Sequence, residues 1–500
     1  MTPLKSPVPG NDTASHPDMA WYLKTVFTMM LAFPTVTVSG VPFNDQPRPV
    51  PRERWSEDWS ILRNVAPLRD TAPPASAGFW QPIKYIPLND SGDSYLSFGG
   101  EYRLAYEQYD KADAGISATG RQDAVQHRIA LHADWHLNRQ WRLFSQLGYA
   151  SENGRDGGAK AVDETDVDIW QLFIDRRFTI DEDERVVLRV GRQLIEVANV
   201  FITAGEAHNV RLYYDGVRLA KLIDNQARFE AFAVEYVDYA DGSFDMSGTD
   251  EYFWGLRGGR QIRETGINLD LLYLGWDLKD RQFEQGGGGR HDELRHTLLL
   301  WLNRPLSVSQ QWGLDYYLAY QFGNYDDQPG DSDIRAFAAF GELKHAFYPQ
   351  TSTPIAGIKT SYFSGDSDPD DNELNTFYDP VFGTPYFGYA RDIMPSNLIQ
   401  LQPNIGYRFS NQLLVTLSHE FLWRANSDDA YYNSANGIGA AADVSNSRQL
   451  GQQTQLAVHY RPTDNIIINA YLARLFAGDV IKDAGGEDRD YVHLGFNYLF

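Results

Sequence analysis

Residues 95–107 read Tyr-Leu-Ser-Phe-Gly-Gly-Glu-Tyr-Arg-Leu-Ala-Tyr-Glu, and the period of that run is two. Leu96, Phe98, Gly100, Tyr102, Leu104 and Tyr106 fall on one face; Ser97, Gly99, Glu101, Arg103, Ala105 and Glu107 fall on the other. Successive side chains of a β-strand point to opposite faces, so the run is a strand with one apolar and one polar side. The next segment repeats the pattern, with Val125, His127, Ile129, Leu131, Ala133, Trp135 and Leu137 alternating with Gln126, Arg128, His132, Asp134 and His136. Soluble strands cluster near about five or six residues. Alternation sustained beyond ten suits a tilted membrane strand of roughly 9–11 residues plus overhang.

Outward from this stretch the pattern predicts strands at 95–109, 125–137, 140–152, 167–178, 185–194, 214–223, 228–238, 251–260, 266–277, 293–303, 311–323, 334–347, 354–364, 397–409, 412–424, 449–461, 465–476 and 489–500. Connections alternate between short turns (Asn138-Arg139, Asp224-Asn225-Gln226, Ser410-Asn411, Pro462-Thr463-Asp464) and long loops (110–124, 153–166, 195–213, 277–292, 365–396, 425–448). The expected fold is all-β: a transmembrane antiparallel β-barrel of about 18 strands, with short periplasmic turns and long extracellular loops. Trp135, Trp141, Tyr149, Trp170, Trp254, Trp423 and Tyr498 near strand ends suit the aromatic girdles of such a barrel. The last strand sets Val492, Leu494, Phe496, Tyr498 and Phe500 on one face.

Composition agrees with this. The 500-residue chain carries 67 acidic against 44 basic residues, a net charge of −23, and offers at best one long apolar run near its start. A polytopic helical membrane protein needs many runs of about 20 apolar residues. A strongly acidic chain repels phosphate, which excludes nucleic acid as the main partner. With no cysteine, disulfides, thiolate metal sites and cysteine nucleophiles are excluded. The 29 Tyr, 27 Phe and 12 Trp supply abundant apolar surface for burial or a membrane interface, which argues against disorder.

Residues 1–40 are expected to hold an N-terminal extension and a secretory signal, with translation starting at Met19 and small residues at Val38-Ser39-Gly40 for cleavage. The alternative reading is a membrane anchor. Residues 41–90, rich in Pro and Arg at the outset, form an aperiodic periplasmic lead-in, and 91–500 form the barrel.

The wall of a large barrel encloses solute, so function is expected on the inward face. Parity places Arg103, Arg128, Arg142, Arg177, Arg189, Arg218, Arg257, Arg408, Arg424 and Arg461 there, with Glu101, Glu107, Asp134, Asp175, Glu235 and Glu420. A ladder of arginines would attract an anionic solute and pass it from site to site. The plainer reading is that these charges pair and stiffen the wall. The acidic surplus sits in connections, at 181–184, at Asp326, Asp327, Asp331 and Asp333, and at 366–373. Asp371 stands where a calcium loop of the EF-hand type needs glycine, so only a looser Ca²⁺ site bridging loops remains open. No metalloprotease helix motif, phosphate-binding glycine loop or nucleophile elbow occurs, and no enzyme activity is expected.

Several segments resemble the alginate export family of outer-membrane barrels. They are IKYIPL (83–88) with YLSFGGEYRLAYE, GRQLIEVANVFITAGEAHNVRLYYDGVRL (191–219), SYFSGDSDPDDNELNTFYDPVFGTPYFGYARDIMPSNLIQLQP (361–403), DDAYYNSANGIG (428–439), SRQLGQQTQLAVHY (447–460) and LFAGDVIKDAGGEDRDYVHLGFNYLF (475–500). The resemblance implies an eighteen-strand barrel in the outer membrane of a Gram-negative bacterium, with an arginine-lined pore that exports a polyuronate. It also implies periplasmic secretion-complex proteins as partners, besides the lipid around the barrel. Arg192-Gln193 and Asp215-Gly216-Val217-Arg218 match the family block. The long periplasmic turn that plugs alginate exporters before the last hairpin is replaced here by Arg461-Pro462-Thr463-Asp464, which favours a more open channel.

Three functions are consistent with these readings: a passive channel for an anionic polysaccharide or oligosaccharide, an uptake porin for small organic or aromatic anions, and a structural or binding barrel whose acidic loops do the work.

Overall fold

A computed structural model describes residues 54–57, 59–60, 79–116, 120–160, 162–181, 184–198, 208–223, 227–238, 247–326, 331–380, 386–434 and 437–500. The expected signal segment, most of the lead-in, Glu182-Asp183, the turn at 224–226 and Asp327 lie outside the described residues.

Eighteen long strands close on themselves. They are β1 (Tyr95–Tyr109), β2 (Gln122–His136), β3 (Trp141–Asn153), β4 (Thr165–Asp181), β5 (Glu184–Gln193), β6 (Tyr214–Ile223), β7 (Ala227–Val237), β8 (Ser247–Ile262) and β9 (Ile267–Gln282), followed by β10 (Arg290–Arg304), β11 (Trp312–Tyr325), β12 (Ser332–Ala346), β13 (Thr353–Phe363), β14 (Leu398–Arg408), β15 (Leu413–Arg424), β16 (Gln449–Thr463), β17 (Ile466–Ala477) and β18 (Arg489–Leu499). Each pairs antiparallel with its neighbours in sequence, and β1 pairs with β18 in the register Glu101↔Leu499 to Tyr109↔Tyr491. Closure leaves no sheet edge, the condition for strands to cross a bilayer.

The outward face is apolar around the barrel: Ile129, Leu131, Leu147, Leu172, Leu271, Leu298, Leu318, Ile405 and Leu417 are all exposed. Trp135 and Trp141 are exposed at the strand ends, as a girdle requires, whereas Tyr149 is exposed partway along β3, opposite Ile129. Trp170 is not part of it. A bulge in the β3–β4 pairing turns its ring inward onto Gly148, where it is 1% exposed and stacks on Tyr213.

Turns at one end are short, such as Asp464-Asn465 between β16 and β17, whereas the other end carries the long connections. These connections do not simply project outward, as the alternation alone suggested. Parts of 194–213, 364–397 and 425–448 fold back into the lumen, where a continuous apolar core forms. Wall residues Phe253, Trp276, Leu299, Tyr317 and Phe340 meet loop residues Phe377, Phe387, Ile393 and Tyr431. Phe253 and Trp276 stack at 3.6 Å, and Tyr317 on Phe340 at 4.6 Å. Apolar inward positions are therefore explained by loops that cover them, since a water-filled lumen would select polar residues there.

Candidate functional site

The inward charges of the first half of the barrel form one belt near the short-turn end. Every strand from β2 to β9 contributes. Arg142 grips Asp134 through two nitrogens at 2.7 and 2.8 Å. Arg189 grips Asp175 likewise at 2.8 and 3.0 Å, and Arg142 reaches the same Asp175 at 3.6 Å. Arg218 meets Glu230 at 2.7 Å, and Arg228 and Arg257 share Asp270 at 2.8 Å each. Cross-strand register brings these groups together, with Arg142↔Asp175, Asp175↔Arg189 and Glu230↔Arg257 directly opposite. The fork-on-carboxylate geometry of Arg142, Arg189 and Arg228 makes their charge-assisted bonds strong and directional, and taking one partner from a buried pair typically costs about 3–5 kcal/mol.

Nearer the loop end the expected pore arginines lie under folded-in loops. Arg103 donates to Asn209 at 2.7 Å. Arg128 pairs with Glu101 at 2.6 Å and reaches the Asn209 carbonyl, while Arg211 of the same loop also binds Glu101. Arg424 is fully buried and donates to the carbonyls of Asp429, Ser445 and Ser447. Arg461 holds the terminal turn through the Asp464 carbonyl at 2.7 Å. Parity misplaces Glu235. Phe232 and Val234 are the buried, inward residues of β7, and Glu235 shares the outward row with Tyr252, which is 44% exposed. The apolar stripe of that strand faces the loop core and not the lipid.

One loop acts as a strap across the lumen. It leaves β13, where Lys359 Nζ donates to the Tyr386 carbonyl at 3.0 Å, and reaches β1, where Arg391 binds Glu107 at 2.6 Å. Asp392 binds Arg489 of β18 at 2.9 Å, and Tyr109 donates to the Ala390 carbonyl. Arg391 holds a left-handed φ of +60° while making this contact, a conformation that costs a non-glycine residue energy and persists where surrounding contacts fix it. The short turn at 464–465 therefore does not leave the lumen open: strap and loops occupy it from the opposite side.

Beneath the strap a cavity of about 430 Å³ opens against β10–β16. Its wall carries Arg304, Lys344, Lys359 and Arg408 against only two carboxylates, Asp315 and Glu342, with Gln402, Asn404, Gln455 and the Tyr389 ring completing it. Glu342 binds Lys344 at 2.8 Å and accepts from Asn404 at 3.0 Å. The space exists because inward positions here are small: Gly313, Gly406, Thr416 and Ser418 line it. Of the expected pore residues, Arg408 alone lines this cavity. Lys344, Lys359, Arg304 and Tyr389 were not singled out from the sequence. On β12 the inward row reads Ile334, Ala336, Ala338, Phe340, Glu342, Lys344, so its apolar half hid the charged half. A lone lysine in the otherwise uncharged stretch 354–364 was the available signal.

Two acids of 366–373 bind backbone amides, and Glu373 pairs with Arg335 of β12. Asp366 accepts from Asp368 and Asn375, and Asp371 from Glu373. Among the described residues no cluster of three or more His, Cys, Asp or Glu could hold a metal ion. Asp429 accepts from Asp366 and Ala430 amides and from the Thr376 and Tyr432 hydroxyls. Burial pushes its carboxyl up to about 6, against the pull of these hydrogen bonds.

The sequence model of a family described as alginate export matches residues 94–494. No curated protein matches the chain. Among solved structures the chain is similar to OccAB1 of Acinetobacter baumannii (11% identity, TM-score 0.54, covering 81% of this chain and 96% of that one). It is also similar to two Pseudomonas aeruginosa proteins: OpdK, solved with vanillate (12%, 0.54, 81% and 98%), and OccK2, solved with glucuronate (11%, 0.52, 83% and 98%). At these identities the likeness concerns the fold.

Proposed function

This chain belongs to the alginate export family of outer-membrane barrels, and from that premise we propose that it is a passive channel whose solutes are small carboxylated molecules of the uronate class. That it is a channel of the Gram-negative outer membrane follows from the family and the closed barrel. The solute assignment rests on one observation: among the described residues that line it, the cavity under the strap sets four cations against two carboxylates. Lysine and arginine bind carboxylates by charge and hydrogen bond. The mixed wall then keeps binding weak enough for release, which conduction requires. Gln402, Asn404 and Gln455 offer donors and acceptors to hydroxyl groups, and Tyr389 offers a ring face. A volume of about 430 Å³ lies within the range of about 300–1,000 Å³ usual for small-molecule sites. Barrels of the same fold were solved with vanillate and with glucuronate, each a single-ring carboxylate.

Export of a polyuronate is the second reading, favoured by the family description. It requires the strap to leave its anchors at Glu107 and Arg489, since a polymer must thread where the strap now lies. Liposome swelling separates the two. The proposal predicts rapid entry of glucuronate, slower entry of uncharged glucose and exclusion of oligouronates longer than a few units. Entry of long oligouronates at the monomer's rate would favour the polymer.

A further inference from the structure

The segment just upstream of the barrel docks on the inner wall at the opposite side from the cavity. Arg54 is 1% exposed and donates to the carbonyls of Gly100 and Phe500, which flank the β1–β18 closure. Glu57 accepts from Arg54, from the Trp59 indole at 2.6 Å and from Lys84 at 3.4 Å. Between these anchors Trp55 lies on the charge belt. Its carbonyl accepts from Arg142 at 2.5 Å, and its ring centre is 4.0 Å from the Arg189 guanidinium carbon and 5.5 Å from that of Arg218. The Phe173 ring lies 3.6 Å from the same Arg189 carbon.

Arg189 nonetheless keeps Nη1 buried with no hydrogen-bond partner among the described residues. Leaving a buried donor of this kind without an acceptor is costly, more so when the group is charged. Cation–π contact with an indole stabilises a guanidinium but supplies no acceptor. Nε and Nη2 of the same guanidinium already grip Asp175, so Nη1 is the one donor left for a further oxyanion. An aromatic cover held by a short segment is also far easier to displace than a strand of the wall.

We infer that Arg142, Arg189 and Arg218 form a second anion site, for a solute carboxylate, in the short-turn half of the lumen, and that the Trp55 segment is a displaceable plug over it. The inference needs the barrel to be a channel but not the solute assignment at the cavity.

Planar-bilayer recordings in chloride test it. Trp55→Ala is expected to raise unit conductance at least about twofold and to shift the reversal potential toward anions, because uncovered arginines focus counter-ions. Trp55→Phe, which keeps a ring over Arg189, is expected to behave as wild type. Adding Arg189→Gln to Trp55→Ala is expected to abolish the selectivity shift. Should Trp55→Ala fail to reach the heat-modifiable folded form, Glu57→Gln loosens the anchor, keeps the ring and is expected to move both readouts in the same direction. Wild-type conductance and selectivity in both Trp55→Ala and Glu57→Gln overturn the inference. So does a selectivity shift that survives Arg189→Gln.

Discussion

Arg192 of β5 and Asp215 of β6 stand directly opposite each other, and guanidinium and carboxylate meet through two parallel hydrogen bonds of 3.0 and 2.9 Å. They lie within the stretch of the chain that the alginate export family model matches. Beside them Gly191 and Gly216 also face each other, at φ +124° and +156°. A Cβ on either would come within 2.3 Å of a neighbouring carbonyl oxygen. The Arg192–Asp215 pair is thus a clamp between two strands, and its arginine does not face the cavity. Arg192→Ala is expected to lower stability by about 1 kcal/mol, the range of a partly exposed ion pair, with unit conductance unchanged. Denaturant unfolding alongside bilayer recording checks both halves.

The same logic separates Arg128 from the cavity cations. Arg128 is 1% exposed and its partner Glu101 is 3% exposed. Arg128→Ala leaves Glu101 with Arg211 as its remaining cation, and the expected loss is about 3 kcal/mol, toward the lower end for a broken buried pair. The folding midpoint should fall while glucuronate entry persists in the surviving folded fraction, as measured by swelling at low temperature.

Asp429 makes loop docking sensitive to pH. Its folded carboxyl titrates near about 6, above the ordinary value of about 3.9. The folded state therefore binds the proton more tightly than the unfolded state. This contribution to stability is full below about pH 4 and is lost as pH rises through about 6. Limited proteolysis of the 425–434 segment should be slower at pH 5 than at pH 8, and Asp429→Asn should remove the difference.

Cavity volume depends on small residues. Gly357 lies on β13 beside Asn404, whose amide would be the first atom met by an added Cβ, at 2.6 Å. Gly357→Leu should narrow the cavity, because a flexible amide can move aside while a branched chain fills the space. Glucuronate permeation should drop severalfold with chloride conductance less affected.

The strands were legible because the bilayer imposes one rule on all eighteen of them: alternate residues must suit hydrocarbon. That is why Leu96 to Tyr106 and Val125 to Leu137 could be assigned from alternation. The inner face obeys no such rule. Where loops fold in, as against Phe232 and Val234, both faces of a strand are apolar and parity loses its meaning, so alternation puts Glu235 on the wrong side. Pairing was equally hidden. Arg142, Arg189 and Arg408 look alike in sequence, yet the first two find carboxylates on adjacent strands while Arg408 borders the cavity. The docking of Trp55 depends on contacts with residues 87 to 163 positions away, in a segment with no period, so no local pattern announced it.

On the proposed function, Lys344, Lys359 and Arg408 bind solute carboxylates in the cavity. Reversal potentials across a salt gradient, measured with glucuronate titrated from one side, test it most directly. Wild type is predicted to prefer anions and to show glucuronate block that saturates. Lys344→Gln/Lys359→Gln is predicted to lose the block and to move the reversal potential toward cations. Anion preference and block that persist unchanged in the double variant would contradict the account.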